Sequence, residues 1–181
     1  LTAQASPLQS LNFAALKIKD AVADRFRQAT GARPNVETHF PDVRIHAHLT
    51  RDTLTLYIDS SGEPLFKRGW RQDKGDAPLK ETLAAAILAA SGWTPDVPLY
   101  DPCCGSGTIA IEAAQIAAGI AAGSQRSFGF ERLLPFARAD WLAIKEEATQ
   151  TALAAQNAKN ASKITIFGSD VAHRMVDFAQ R

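Results

Sequence analysis

The sequence predicts an α/β protein: a parallel sheet flanked by helices fills its C-terminal part, and a smaller α+β segment precedes it. Three patterns carry that expectation. Val97 to Tyr100 reads as a short strand running straight into the glycine loop Asp101-Pro102-Cys103-Cys104-Gly105-Ser106-Gly107-Thr108. Ile109, Ala110, Ala113, Ile116 and Ala117 then recur at helical spacing, and Ile164 to Phe167 forms a second strand further on. Strand, turn, helix and strand in that order make a βαβ unit, whose strands lie parallel.

Ahead of that unit, Ser10 is placed to cap a helix in which Leu11, Ala15, Ile18, Val22 and Phe26 share one face until Gly31 ends it. Val43, Ile45, Ala47 and Leu49 alternate with Arg44, His46 and His48, and after Arg51-Asp52 the run Leu54, Leu56, Ile58 alternates with Thr55 and Tyr57. This predicts a β-hairpin with one apolar and one polar face. After a turn at Ser60-Ser61-Gly62 come four cations interleaved with two aromatics, from Phe66 to Lys74, and the domain junction is placed here at 63–76. Pro78 suits a first helical turn, and Leu79, Leu83, Ala86, Ile87 and Ala90 are expected to form the buried face of a helix closed by Gly92. Residues 119–137 read as a long loop holding Phe128, Phe130 and Phe136, followed by a helix with Trp141, Ile144, Ala148 and Leu153 on one side. Gly168-Ser169-Asp170 exits the last strand, and a helix follows from Val171.

The 181 residues are 46% hydrophobic and 22% charged, enough to bury a core. No apolar run approaches the ~20 residues of a membrane span, and the N-terminus lacks the regions of a signal peptide, so a cytoplasmic location is expected. Cys103 and Cys104 are adjacent, a spacing that fits neither a disulfide framework nor a C-x-x-C metal site, and they are expected to be free thiols. Residues 1–75 hold 11 Lys and Arg against 8 Asp and Glu, or +3, whereas 76–181 hold 9 against 11, or −2. The asymmetry points the N-terminal part toward nucleic acid only weakly, and an ordinary solvated surface explains it as well.

The glycine loop narrows the ligand. Glycines at the end of a strand let backbone N–H groups approach a bound molecule. A phosphate-binding P-loop needs a Lys after its glycines, and none follows here. A dinucleotide fingerprint stays open, although Ala110 replaces its third glycine and the candidate acid is far off. Asp101 supports a third reading, because a carboxylate just before the loop would repel pyrophosphate but accept hydrogen bonds from an ammonium group, such as that of S-adenosylmethionine. Asp170, leaving the next strand, is placed to hold ribose hydroxyls, with the N-cap of the last helix as its alternative use. His46 and His48 stand two apart on one hairpin face without a third ligand, so no metal site is expected.

The run from Leu99 to Ala114 resembles the cofactor loop of the THUMP-containing class I RNA methyltransferases, in the bacterial 23S rRNA guanine-N2 branch called RlmL or RlmKL. The likeness extends to Gly62–Arg71, Ala77–Glu81 and Phe167–Asp170. It implies part of a class I, Rossmann-like methyltransferase sheet at 77–181, preceded at 1–62 by the C-terminal part of a THUMP RNA-binding domain. By the same resemblance, S-adenosylmethionine lies against Asp101, Pro102, Cys103, Gly105, Ser106, Gly107, Thr108 and Asp170. The expected substrate is 23S rRNA, with Lys67, Arg68, Trp70, Arg71 and Lys74 as candidate RNA contacts. For Trp70, anchoring one domain on another is the competing role.

Family members carry an Asn-Pro-Pro-Tyr motif after the fourth strand, and this chain stops soon after the second. It therefore reads as a fragment at both ends, with no catalytic residue of its own. A class I methylase of DNA adenine or of a protein amide is the enzyme alternative, and an RNA-binding module without catalysis is the other.

Overall fold

The structure is a computed structural model that describes residues 1–72, 78–157 and 165–180. The chain forms two compact units, one from Leu1–Gly62 with Phe128–Phe136, the other from Glu63–Ser127 with Ala137–Arg181.

In the first unit, helix α1 (Leu11–Thr30) starts where Ser10 Oγ accepts the amide of Phe13 and ends at Gly31, whose left-handed backbone (φ 78°) closes the last turn on the Arg27 carbonyl. Strands β2 (Ile45–Leu49) and β3 (Leu54–Ile58) pair antiparallel, with Ala47 opposite Leu56 and Leu49 opposite Leu54. The sequence did not announce β1 (Thr2–Ala3), a two-residue strand that pairs parallel with His48 and Leu49. Alternation puts Ile45, Ala47, Leu49, Leu54, Leu56 and Ile58 on one face. Ile18, Ala21, Val22 and Phe26 of α1 line an apolar groove with Leu54 and Leu56. The long loop foreseen at 119–137 contributes residues to this unit: a 3₁₀ turn at Gly129–Arg132 is anchored by the Phe130 amide, which donates to the Ser60 carbonyl at 2.9 Å. Phe128 stacks on Phe130 with ring centres 5.2 Å apart.

In the second unit, α2 (Glu81–Ser91) leads to β4 (Leu99–Asp101), then α3 (Thr108–Ala117), α4 (Arg138–Asn157), β5 (Ile166–Gly168) and α5 (His173–Ala179). β4 and β5 pair parallel, with Tyr100 beside Phe167 and Asp101 beside Gly168, as a βαβ unit requires. Helix α3 packs on α2 and on both strands. Tyr100 and Phe167, neighbours on the other face of the pair, stay 63% and 58% exposed.

The buried face of α2 differs from the expected one. Glu81, Ala84 and Leu88 are buried, while Leu83, Ala86, Ile87 and Ala90 are exposed. An alanine-rich helix offers several apolar stripes, and the one that won carries Glu81 because that carboxylate has a cationic partner waiting. Likewise α4 is a helix, but Ile144 and Leu153 are exposed and none of its described residues is buried.

Ala84 and Ala113 are fully buried on α2 and α3, so small side chains set the approach of these two helices. Ala84→Leu overfills that contact and should cost about 1–3 kcal/mol. Chemical denaturation read by circular dichroism checks it; an unchanged midpoint would mean that the two helices have room to spare.

Candidate functional site

Asp101 ends β4, and its neighbour in register, Gly168, ends β5, so the carboxyl ends of two adjacent parallel strands open onto one loop. That is where α/β sheets bind ligands, because the chain must leave the sheet there and turn back into a helix. Backbone bonds stitch the loop to β5: the Ser169 amide donates to the Asp101 carbonyl and the Cys104 amide to the Ser169 carbonyl, each at 2.9 Å. The Gly107 amide then donates to the Cys104 carbonyl at 2.8 Å, closing the turn into α3. Gly107 has φ 76°, and a Cβ there would come within 2.9 Å of Ala179 Cβ, so both its backbone and its surroundings require glycine. A Cβ on Gly168 would sit 3.0 Å from Cys104 Cβ, a clearance that lets the loop lie directly on β5.

The two acidic residues are used differently. Asp101 Oδ1 accepts the Cys103 amide at 3.1 Å, a single local bond that leaves most of the carboxylate free. Asp170 accepts the Ala172 amide on Oδ1 and the Gly105 amide on Oδ2, both at 2.9 Å. It is thus a clamp that ties the exit of β5 to the glycine loop; the N-cap of α5 is Ala172, without a side-chain cap bond, so Asp170 does not take the capping alternative. These amides, Ala172 first and then Gly105, hold its carboxyl below the usual aspartate value. Tyr100 Oη and Ser169 Oγ meet at 2.8 Å across the strands. Cys103 is exposed and Cys104 is buried. Burial pushes the Cys104 thiol upward, and the charges of Asp101 and Asp170 push it further.

Behind the loop lies a cluster that the sequence reading missed. Arg71 donates from Nε to Glu81 at 2.7 Å, from Nη1 to Ser106 Oγ at 2.9 Å and from Nη2 to Thr108 Oγ1 at 2.7 Å. Arg68 makes a two-pronged pair with Glu112, 3.3 Å on each arm. Glu81, Ser106, Thr108 and Glu112 are all buried. Arg68 and Arg71, expected as candidate RNA contacts, turn their guanidiniums inward onto these buried carboxylates, and the pairing offsets the cost of burying the charges. The signal that could have found the cluster is a glutamate on each apolar helix, since a charge among alanines and isoleucines needs a partner.

Of the other candidate RNA contacts, Lys67 is exposed and paired with Glu63. Trp70 is half-buried, with the Arg71 guanidinium 4.8 Å from its ring centre. Lys74 lies outside the described residues. His46 Nε2 stands 3.7 Å from Asp59 and His48 Nδ1 2.9 Å from Thr2 Oγ1. No helix among the described residues is long and apolar enough to cross a membrane.

Residues 68–181 match the family model described as RMKL-like, methyltransferase domain, and residues 2–59 match the THUMP domain. A ribosomal RNA large subunit methyltransferase K/L from Shewanella pealeana is 48% identical over 176 residues, covering 96% of this chain and 24% of that protein. The one from Psychromonas ingrahamii is 43% identical over 96% of this chain and 23% of that protein, so the chain spans about a quarter of these curated relatives. Among solved structures, a putative methyltransferase complexed with SAH is 35% identical, with a TM-score of 0.82 over 99% of this chain and 46% of that one. A predicted N6-adenine-specific DNA methylase from Listeria monocytogenes is 34% identical, with a TM-score of 0.81 over 98% of this chain and 45% of that one.

Two outcomes follow from the loop chemistry. Iodoacetamide near neutral pH should alkylate Cys103 and spare Cys104, which mass spectrometry of the digested protein reads directly. Because the Asp170 carboxyl is depressed in the folded state, its clamp is fully present above the ordinary value of 3.8 and is lost as pH falls through its lower value. The Gly105 amide resonance should therefore hold its position down to about that ordinary value and shift only in stronger acid. A shift that begins well above it would mean the clamp is not made.

Proposed function

Because the chain belongs to the RMKL-like methyltransferase-domain family, we propose that it supplies the methyl-donor half of an S-adenosylmethionine-dependent enzyme that methylates ribosomal RNA. The finer target is the exocyclic N2 of a guanine in 23S rRNA. The observation that carries the reading is the pair of carboxylates, Asp101 and Asp170, flanking a glycine loop at the carboxyl ends of adjacent parallel strands.

The donor set suits the cofactor. S-adenosylmethionine carries an ammonium and a sulfonium, so a loop bordered by two carboxylates and free of lysine favours it electrostatically over a pyrophosphate ligand. The lone pairs that Asp101 keeps free would accept the cofactor's ammonium. Asp170 retains acceptor capacity beyond its two backbone bonds and would take the ribose hydroxyls while still clamping Gly105. The buried face of the loop is occupied by Arg71, so Ser106 and Thr108 would meet the cofactor through their backbone. When bound, the cofactor supplies an activated methyl group to an in-line nucleophile. This chain's share is to hold the donor in one orientation and to keep the loop from collapsing onto it.

The likeness to THUMP at residues 2–59 supports RNA as the acceptor. A base in folded rRNA must be unstacked before its amine can be reached, at a cost of a few kcal/mol, and a separate RNA-binding module can offset that cost by fixing the surrounding helix. The names of the relatives, ribosomal RNA large subunit methyltransferases, agree with that acceptor.

Asp101→Ala tests the donor site. It should weaken S-adenosylmethionine binding by about ten- to a hundredfold, the loss of one charge-assisted contact, while the melting temperature stays put. Calorimetric titration reads it, and equal affinity in both proteins would remove the basis of the assignment. For the acceptor, mapping N2-methylguanines in rRNA from cells lacking the protein should show one site unmodified; persistence of all of them would leave the target elsewhere.

A further inference from the structure

We propose that Arg71 is a positioning residue that sets the shape of the glycine loop from behind; the inference rests on the reading of that loop as the cofactor site. Ser106 and Thr108 straddle Gly107, the residue with φ 76° at which the chain reverses into α3. A left-handed glycine between two ordinary residues is a flexible joint, because glycine alone does not fix its own backbone. Here the joint is held on both sides by one rigid group. Nη1 takes the hydroxyl before it and Nη2 the hydroxyl after it, while Nε is fixed on Glu81 in the first turn of α2.

The planar guanidinium makes this possible. Its donors point in fixed directions, so anchoring Nε on a carboxylate determines where both Nη groups lie. A lysine ammonium keeps the charge beside Glu81 but cannot span three acceptors on two elements. The side chain is also confined: Glu81 is 4% exposed, Ser106 8% and Thr108 3%, and the Trp70 ring packs against the guanidinium. With both hydroxyls turned inward, the loop offers its backbone outward.

Arg68 supplies the control. It lies three residues away, belongs to the same segment and pairs with an equally buried carboxylate, Glu112, yet among the described residues its guanidinium hydrogen-bonds to no residue of the loop. A purely structural role predicts similar consequences for both arginines. A positioning role predicts a difference confined to Arg71.

The experiment compares R71K and R68K in the protein, reading amide hydrogen exchange without ligand and S-adenosylhomocysteine affinity by calorimetry. R71K should exchange faster at residues 104–108 and bind about tenfold more weakly, the scale on which partners of ligand-holding groups act. R68K should keep wild-type exchange in the loop and affinity within about twofold, with both variants melting within about 4 °C of wild type. Wild-type exchange and affinity in R71K, or equal losses in both variants, would overturn the proposal. Should R71K fail to fold, S106A/T108V removes the two acceptors, leaves the Arg71–Glu81 pair and must loosen the same amides. If the wild-type protein binds no S-adenosylhomocysteine, the cofactor reading fails on its own, and the ligand-free exchange still decides the role of Arg71.

Discussion

Two carboxylates buried between a pair of small-residue helices govern the second unit. Glu81 and Glu112 are 4% and 3% exposed on α2 and α3, with Ala84, Leu88 and Ala113 buried on the same helices. Burying a carboxylate this deep is costly unless a counter-ion hydrogen-bonds it, and removing that counter-ion costs about 3–5 kcal/mol. Arg71 and Arg68 meet the requirement from a single stretch ahead of α2. The segment before the first helix is therefore as much a part of the methyltransferase unit as the helices are. It also explains why α2 buries the stripe Glu81, Ala84, Leu88 and leaves Leu83 and Ile87 outside: the ion pair, not the larger apolar side chains, chooses the rotation of the helix.

The same arrangement separates the two sides of the glycine loop. On the buried side, side chains do the holding, through Arg71 on Ser106 and Thr108. On the strand side, backbone bonds and Asp170 do it, through Cys104, Gly105 and Ser169. Of the two carboxylates at the loop, Asp101 is the less spent on internal bonds, with one local acceptor contact to Cys103 against two backbone bonds at Asp170. A site that must favour a cationic ligand needs an uncompensated negative group, and compensating Glu81 and Glu112 while leaving Asp101 largely free meets that need.

What the sequence disclosed is what local rules control. Ser10 and Gly31 bound α1, Gly92 ends α2, the alternation from Ile45 to Ile58 makes a hairpin, and the order of elements around the glycine loop yields parallel strands. Each depends on residues within a few positions of one another. β1 was illegible because two residues carry no periodicity. The joining of Phe128–Phe136 to the first unit was illegible because nothing local marks the Ser60 carbonyl as the anchor for Phe130. The arginine cluster failed for the same reason: its partners stand 10 to 44 residues away.

That failure changes how the charge of the chain should be read. The +3 of residues 1–75 suggested an N-terminal part drawn to nucleic acid, but residues 1–62 hold 7 Lys and Arg against 6 Asp and Glu, a net +1. The remaining +2 comes from the segment 63–75, with 4 Lys and Arg against Glu63 and Asp73. Within that segment Arg68 and Arg71 are matched by buried Glu112 and Glu81, carboxylates counted in the other half of the chain, and Lys67 is matched by Glu63. Cations neutralised in this way release no counter-ions from a phosphate backbone, so they add little to RNA affinity. The excess that hinted at RNA is largely internal wiring of the second unit. The case for an RNA acceptor therefore rests on the THUMP likeness at residues 2–59 and on shape-directed recognition, which needs far less net charge than binding driven by phosphate contacts.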